Sequence, residues 1–240
     1  MSDRGAAARA LLAMGRDTAD DRTVALRICR ACAAGLDVDG AAISIHTASD
    51  TRQTLAATDK TATVLEELQF TLNEGACVEA ATTGNPVLVP DLLHSTEVER
   101  WPVFAAAVAE RTQVRALFAL PLQWGAVNLG VLDLYRRAPG RLDDTRQRDA
   151  LDAADIATVM LLGRVTDPDG QAGDWPDGTA LSRPEIHQAT GMVLAQLDTT
   201  APDALARLRG HAFAHDRLLI DVARDVVTRR LTFYDDREQP

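Results

Sequence analysis

Residues 116–136 read ALFALPLQWGAVNLGVLDLYR, and this stretch decides the fold class. Two apolar runs, Ala116–Gln123 and Asn128–Arg136, meet at Trp124–Gly125. A glycine in a short link between two such runs signals a hairpin, because tight turns use backbone conformations that side chains disfavour. A hairpin requires an antiparallel sheet. Upstream, Ala41–Thr47 (AAISIHT) and Arg52–Thr58 alternate as strands around a turn at Ala48–Thr51, a second hairpin. Pro86–Pro90 (PVLVP) is a β-branched run held between prolines and reads as a short strand. The remaining periodic segments are helical. Thr18–Gly35 places Val24, Ile28 and Cys32 beside Ala25 and Cys29, Val64–Leu68 makes one or two turns, and Trp101–Arg111 reads as helix. Leu142–Leu162 is amphipathic, with Leu151, Ile156, Val159 and Met160 expected on its apolar side. Paired strands with helices between and around them predict an α+β domain, an antiparallel sheet flanked by helices.

The chain has 240 residues, 46% hydrophobic and 25% charged, values that exclude a disordered or fibrous protein and allow two domains. No apolar run approaches the roughly 20 residues that cross a bilayer, so no membrane contact is expected. The start, MSDRGAAARALLAMGRD, lacks a compact apolar secretory core, and three cysteines build no disulfide framework. A cytoplasmic location follows as the expectation. With 25 basic and 35 acidic residues the net charge is −10, which repels polyanions at long range. Any nucleic-acid contact must therefore be local.

Composition breaks at Gly163–Leu181, GRVTDPDGQAGDWPDGTAL, whose Gly, Pro and Asp punctuation marks a linker. The expected layout is a tail at 1–16, a sheet domain at 17–163, a linker at 164–181, a small domain at 182–233 and a tail at 234–240. Beyond the linker, Ser182 and Glu185 form a capping box that opens a helix carrying Ile186, Ala189, Val193, Leu194 and Leu197 on one face. Thr200–Asp203 opens a second helix with Leu205, Leu208 and Ala212 at core spacing. A third, Leu218–Leu231, buries Leu219, Val222, Ala223, Val226 and Val227. Helices this short are marginal alone, so they must pack together as an all-α three-helix bundle.

Seven arginines and six acids between Ser182 and Arg230 give the bundle a net charge of +1, against −11 elsewhere. Gly191, inside the first of these helices, costs about 1 kcal/mol relative to alanine. Close approach of a neighbouring helix is the first explanation, a ligand backbone against the helix the second.

Two parts of the chain resemble known families. NEGACVEAATTGNPVLVPDL at Asn73–Leu92, followed by ALPLQWGAVNLGVLDLY at Ala119–Tyr135, resembles a GAF domain over about Asp17–Leu162. That resemblance implies a sensory or regulatory module, usually dimeric, with a possible small-molecule ligand whose residues stay unknown. Ala189–Thr190–Gly191–Met192, Ala204, Leu208–Arg209, Ala212, Val222–Ala223 and Val226–Val227 together resemble an ANTAR domain. This implies binding to tandem stem-loops in nascent RNA and prevention of a terminator hairpin. The position after Ala189 is often lysine in that family and is Thr190 here, one cation fewer.

RNA readout uses unpaired loop bases, with arginines on phosphates. His187, Thr190 and Gly191 share one side of the first bundle helix, Arg207 and Arg209 stand on the second, and Arg183 lies at an anion-favouring helix start. These six are the expected RNA-binding residues. Other motifs carry less. Cys29-x-x-Cys32 lies on a helix face and reads as packing, Cys77 as a small buried thiol. His211-x-x-x-His215 lacks a third ligand, and His46 and His94 stand alone. No phosphate loop, dinucleotide fingerprint or nucleophile elbow is present, so no catalytic residues, metal or cofactor are expected, and no enzyme. The sequence reading is a homodimeric, RNA-binding regulator of transcription antitermination, its seam formed by Thr18–Gly35 and Leu142–Leu162. The alternative is a signalling protein whose helical bundle docks onto a protein partner instead of RNA.

Overall fold

The computed structural model describes residues 4–15, 19–46, 52–93, 96–125, 127–165, 184–215 and 217–234. It divides into two compact units, 1–181 and 182–240.

The first unit is built on one antiparallel sheet. Its strands are β1 (Gly40–His46), β2 (Arg52–Ala57), β3 (Val87–Val89), β4 (Ala116–Trp124) and β5 (Val127–Arg136), in the order β2-β1-β5-β4-β3. The 116–136 stretch is the β4–β5 hairpin, with Leu120 opposite Leu132 and Phe118 opposite Leu134. Strand β1 joins the other side of β5, pairing Ile43 with Leu132. Because side chains alternate along a strand, each face receives its own apolar set. Ile43, Ile45, Phe118, Leu120, Leu132 and Leu134 point to one layer. Ala42, Leu117, Ala119, Val131 and Tyr135 point to the other.

Helices cover both faces. On the first lie α1 (Ala6–Ala13), α2 (Asp21–Leu36) and α6 (Asp144–Val165), and on the second α3 (Lys60–Leu72), α4 (Ala76–Thr83) and α5 (Pro102–Arg111). A 3₁₀ segment, Thr96–Arg100, precedes α5. Asp20 caps α2, accepting hydrogen bonds from Thr23 N–H at 3.0 Å and Thr23 Oγ1 at 2.6 Å. Cys29 and Cys32 are buried within the first core layer.

In the first unit three expectations change. The stretch expected as a tail contains α1, whose Ala7, Ala8 and Leu11 are buried. Its first amides donate to the buried Asp149 carboxylate of α6, Ala7 N–H at 2.9 Å and Ala8 N–H at 3.0 Å. The one or two turns expected at Val64–Leu68 extend to the 13-residue α3, capped by Asp59. On α6 the buried stripe is Ala150, Ala153, Ala154, Ala157 and Leu161; of the four residues expected there, Ile156 and Met160 pack half-buried against this core, whereas Leu151 and Val159 face outward. Alanine permits close helix–sheet approach, and it defeats a reading that weights only large side chains.

The second unit holds α7 (Pro184–Leu197), α8 (Ala201–Ala214) and α9 (Leu219–Val227), packed pairwise through Ile186, Ala189, Val193, Ala204, Leu208, Ala212, Val222 and Val226. Thr200 caps α8 and accepts from Asp203 N–H at 3.4 Å. The third helix stops at Val227, short of the expected Leu231. Arg229 adopts a left-handed φ of 59°, and the amides of Arg230 and Leu231 turn back to the Asp225 carbonyl. Asp225 also takes ion pairs from Arg217 at 2.6 Å and Arg230 at 2.8 Å. The capping box at Ser182 and the linker lie outside the described residues.

Candidate functional site

Of the six expected RNA-binding residues, Arg183 lies outside the described residues. His187 and Gly191 are exposed on α7 beside half-buried Thr190, one helical side shared by three residues. Thr190 Oγ1 donates to the Ile186 carbonyl at 2.7 Å, which engages its hydroxyl within the helix. Arg207 is exposed and Arg209 half-buried. They flank Leu208, so at roughly 100° per residue they stand about 200° apart around α8. The helix therefore does not gather them on one face.

Gly191 corrects an expectation. Apart from its own chain neighbours and the backbone of α7 itself, no described atom lies within 4 Å of where its Cβ would stand, so no neighbouring helix demands a glycine there. Its surface is open. Several other bundle arginines are held by acids. Arg224 lies 3.7 Å from Glu185 and 3.5 Å from Asp221, and Arg217 and Arg230 share Asp225. His211 and His215 stack at 4.1 Å, and His215 Nδ1 meets the His211 carbonyl at 2.8 Å. Burial, then His215 and Arg217, lower the pKa of His211.

The second concentration of chemistry lies in the first unit. Gly75, at φ 115°, turns the chain into α4, where a Cβ would stand 2.7 Å from Gln69 Oε1. That turn brings Cys77 N–H to Gln69 Oε1 at 2.8 Å and Cys77 Sγ to within 3.2 Å of Ser44 Oγ. The ligand atoms of Glu66, Cys77 and Asp133 all lie within 4.8 Å of one another. Burial, then the Glu66 charge, push the Asp133 carboxyl well above its usual range. Burial likewise raises the Cys77 thiol, with Arg52 opposing. Arg52 feels burial, which lowers its pKa, but Cys77, Glu66 and Asp133 outweigh this and raise it. Glu66, Asp133 and Arg52 were missed by the sequence reading. The available signal was the inward register of Asp133 between Val131 and Tyr135 in an otherwise apolar strand.

Nearby, Asp59 accepts from Thr58 Oγ1 at 2.7 Å, Ala62 N–H at 3.0 Å and the Tyr135 hydroxyl at 3.0 Å. Burial favours its neutral form, but these bonds prevail and hold its carboxyl below the usual value. Burial and Asp59 together push the Tyr135 phenol up to about 12.

A five-stranded antiparallel sheet between helical layers, followed by a separate helical unit, defines a two-domain α+β protein. The GAF domain model matches residues 20–164 and the ANTAR domain model residues 178–227. The chain belongs to the GAF family and carries an ANTAR domain after the GAF domain. Among solved structures, it is similar to the GAF domain from an Acinetobacter phosphoenolpyruvate-protein phosphotransferase. That match has a TM-score of 0.50 and 10% identity, covering 68% of this chain and 96% of the other. The GAF domain of the corresponding Coxiella burnetii protein gives 0.51 and 10%, covering 65% and 90%. No curated protein sequence matches the chain. Among the described residues, no helix is long and apolar enough to cross a membrane.

Proposed function

We propose that the protein is a cytoplasmic, RNA-binding regulator of transcription antitermination. The single observation that carries this reading is a GAF domain followed by an ANTAR domain in one chain, the combination that fits a GAF-regulated antiterminator. The ANTAR bundle binds paired stem-loops in nascent RNA and so prevents a terminator hairpin. The open surface at Gly191, with His187 and Thr190 beside it, supports approach of an RNA backbone to α7. Arg207 and Arg209 on α8 supply phosphate or base contacts, and Arg183, which lies outside the described residues, is assigned the same role from the sequence alone. The GAF domain senses a signal or holds a homodimer, and no catalytic step is assigned to it.

The expected seam needs revision. The apolar side of α2, one of its two helices, lies on the sheet and is covered. Exposed Leu12, Trp124 and Val159, with half-buried Ile156 and Met160, instead line a groove of about 580 Å³. A second copy of the chain is its proposed occupant, because two adjacent loops in one RNA call for two linked bundles.

Titration of the full chain with a paired-hexaloop RNA and a scrambled control tests the reading. The paired loops bind more tightly, and Arg209→Ala weakens that binding by about 1–3 kcal/mol if the guanidinium makes a bidentate base contact. Equal affinity for both RNAs removes the claim. Phe213, 59% exposed on α8, is the observation that favours a protein-docking bundle instead. On that reading neither RNA binds, and Phe213→Ala abolishes capture of the partner.

A further inference from the structure

The ligand-type side chains behind the sheet come from three elements far apart in sequence. Glu66 from α3, Cys77 from α4 and Asp133 from β5 converge to within 4.8 Å, measured between their ligand atoms. Asp133 Oδ2 is shut away from solvent and has no hydrogen-bond partner. Burying a carboxylate oxygen without a partner is costly, and burying a second carboxylate and a thiol beside it adds to the cost. Arg52 brings one positive charge within electrostatic reach of all three groups. Ligand groups give up their protons when a metal binds, and the three resulting anions beside one guanidinium leave a net charge of −2, which a divalent cation balances.

We propose that Glu66, Cys77 and Asp133 bind a single divalent transition-metal ion of the Zn²⁺ or Fe²⁺ class. The mixed donor set makes the selection. Mg²⁺ and Ca²⁺ take oxygen ligands, whereas a thiolate among carboxylates favours softer ions. Around zinc, with Zn–O near 2.0 Å and Zn–S near 2.3 Å, ligand atoms stand roughly 3.3–3.8 Å apart, so closure needs about 1 Å of inward movement. The outer partners are already in place. Ser44 Oγ contacts Cys77 Sγ at 3.2 Å, and Gln69 Nε2 donates to Glu66 Oε1 at 3.4 Å. Such second contacts orient metal ligands. The adjoining void, lined by Ala42, Ala62, Leu65 and Tyr135, is about 10 Å³, room for one water as a fourth ligand.

The test uses the full chain, freed of metal with a chelator and titrated with Co²⁺. A sulfur-to-cobalt charge-transfer band is expected to grow and saturate at about one equivalent, and Zn²⁺ displaces it. Cys77→Ser abolishes the band, whereas the Cys29→Ala/Cys32→Ala double variant retains it. Glu66→Gln and Asp133→Asn each weaken Zn²⁺ binding in equilibrium dialysis at least 10-fold, roughly the loss seen even for outer-shell changes. No band at saturating Co²⁺, or a band that survives Cys77→Ser, overturns the site. If circular dichroism shows that Cys77→Ser does not fold, the two near-isosteric variants decide. Undiminished Zn²⁺ affinity in both then overturns it.

Discussion

At position 191 a glycine occupies the middle of a 14-residue helix with empty space where its side chain would be. Neither a turn nor a close neighbour explains it. Gly191→Ala is expected to raise the stability of the bundle by about 0.5–1 kcal/mol, because alanine loses less backbone entropy and adds no clash. The same change places a methyl group on the surface where an RNA backbone is proposed to lie. Thermal unfolding and RNA titration of one variant should therefore move in opposite directions. A stabilised protein with unchanged RNA affinity would remove ligand approach as the reason for this glycine. Asp59 provides a second residue-scale prediction. Its folded pKa is depressed, so the stability it contributes is present above the unfolded carboxylate value, near 3.9, and is lost as pH falls through the folded value. Asp59→Asn should thus destabilise at neutral pH, and the gap from wild type should narrow below about pH 4 in urea titrations across pH. A gap independent of pH would assign the loss to packing.

Helix α1 shows how one element escapes a sequence reading. AAARALLA is short, and its first residue follows Gly5, which supplies no side-chain cap. The group that satisfies its amides is Asp149, 142 positions from Ala7. Nothing within a local window announces such a partner. The β4–β5 hairpin was legible for the opposite reason, since alternation and turn chemistry are local. Polar residues concealed most of α3, because Glu66 and Gln69 face inward and interrupt its apolar period. The buried cluster was hidden more deeply still, as its three ligand-type residues share no spacing and meet only once the sheet has formed. In the bundle, helix faces and the capping Thr200 were legible, but the openness at Gly191 depends on tertiary packing that no local window contains. Asp149→Ala tests the tie between α1 and α6. Two buried amides lose their acceptor, so the domain should lose about 1–3 kcal/mol in chemical denaturation. Hydrogen exchange at Ala7 and Ala8 should accelerate more than in the sheet. Uniform acceleration across the sheet would mean that α1 unfolds only with the whole domain.

At the scale of the whole molecule, the proposed antiterminator role requires a chain of net charge −10 to hold an RNA, and the proposed homodimer to do so better than one copy. A bundle of net charge +1 supplies little long-range attraction, and three of its arginines are engaged by acids. Affinity must then come from a few local contacts, doubled by joining two bundles. Linking two sites raises avidity by roughly 10²–10⁴ when both loops can be engaged together. The groove at α1, α6 and the β4–β5 tip is where this joining is expected, since Val159 is 51% exposed and Trp124 56%. Val159→Glu places a charge in that surface and leaves the sequence of the bundle unchanged. Sedimentation equilibrium should show the wild type as a dimer and the variant as a monomer. Against an RNA with one loop, the two proteins should bind alike. Against two adjacent loops, the variant should fall to its single-loop affinity, a loss of about 10²-fold or more. A variant that stays dimeric would move the seam elsewhere on the GAF domain. A monomer that keeps full two-loop affinity would show that one bundle suffices, and with it the need for the second copy would disappear.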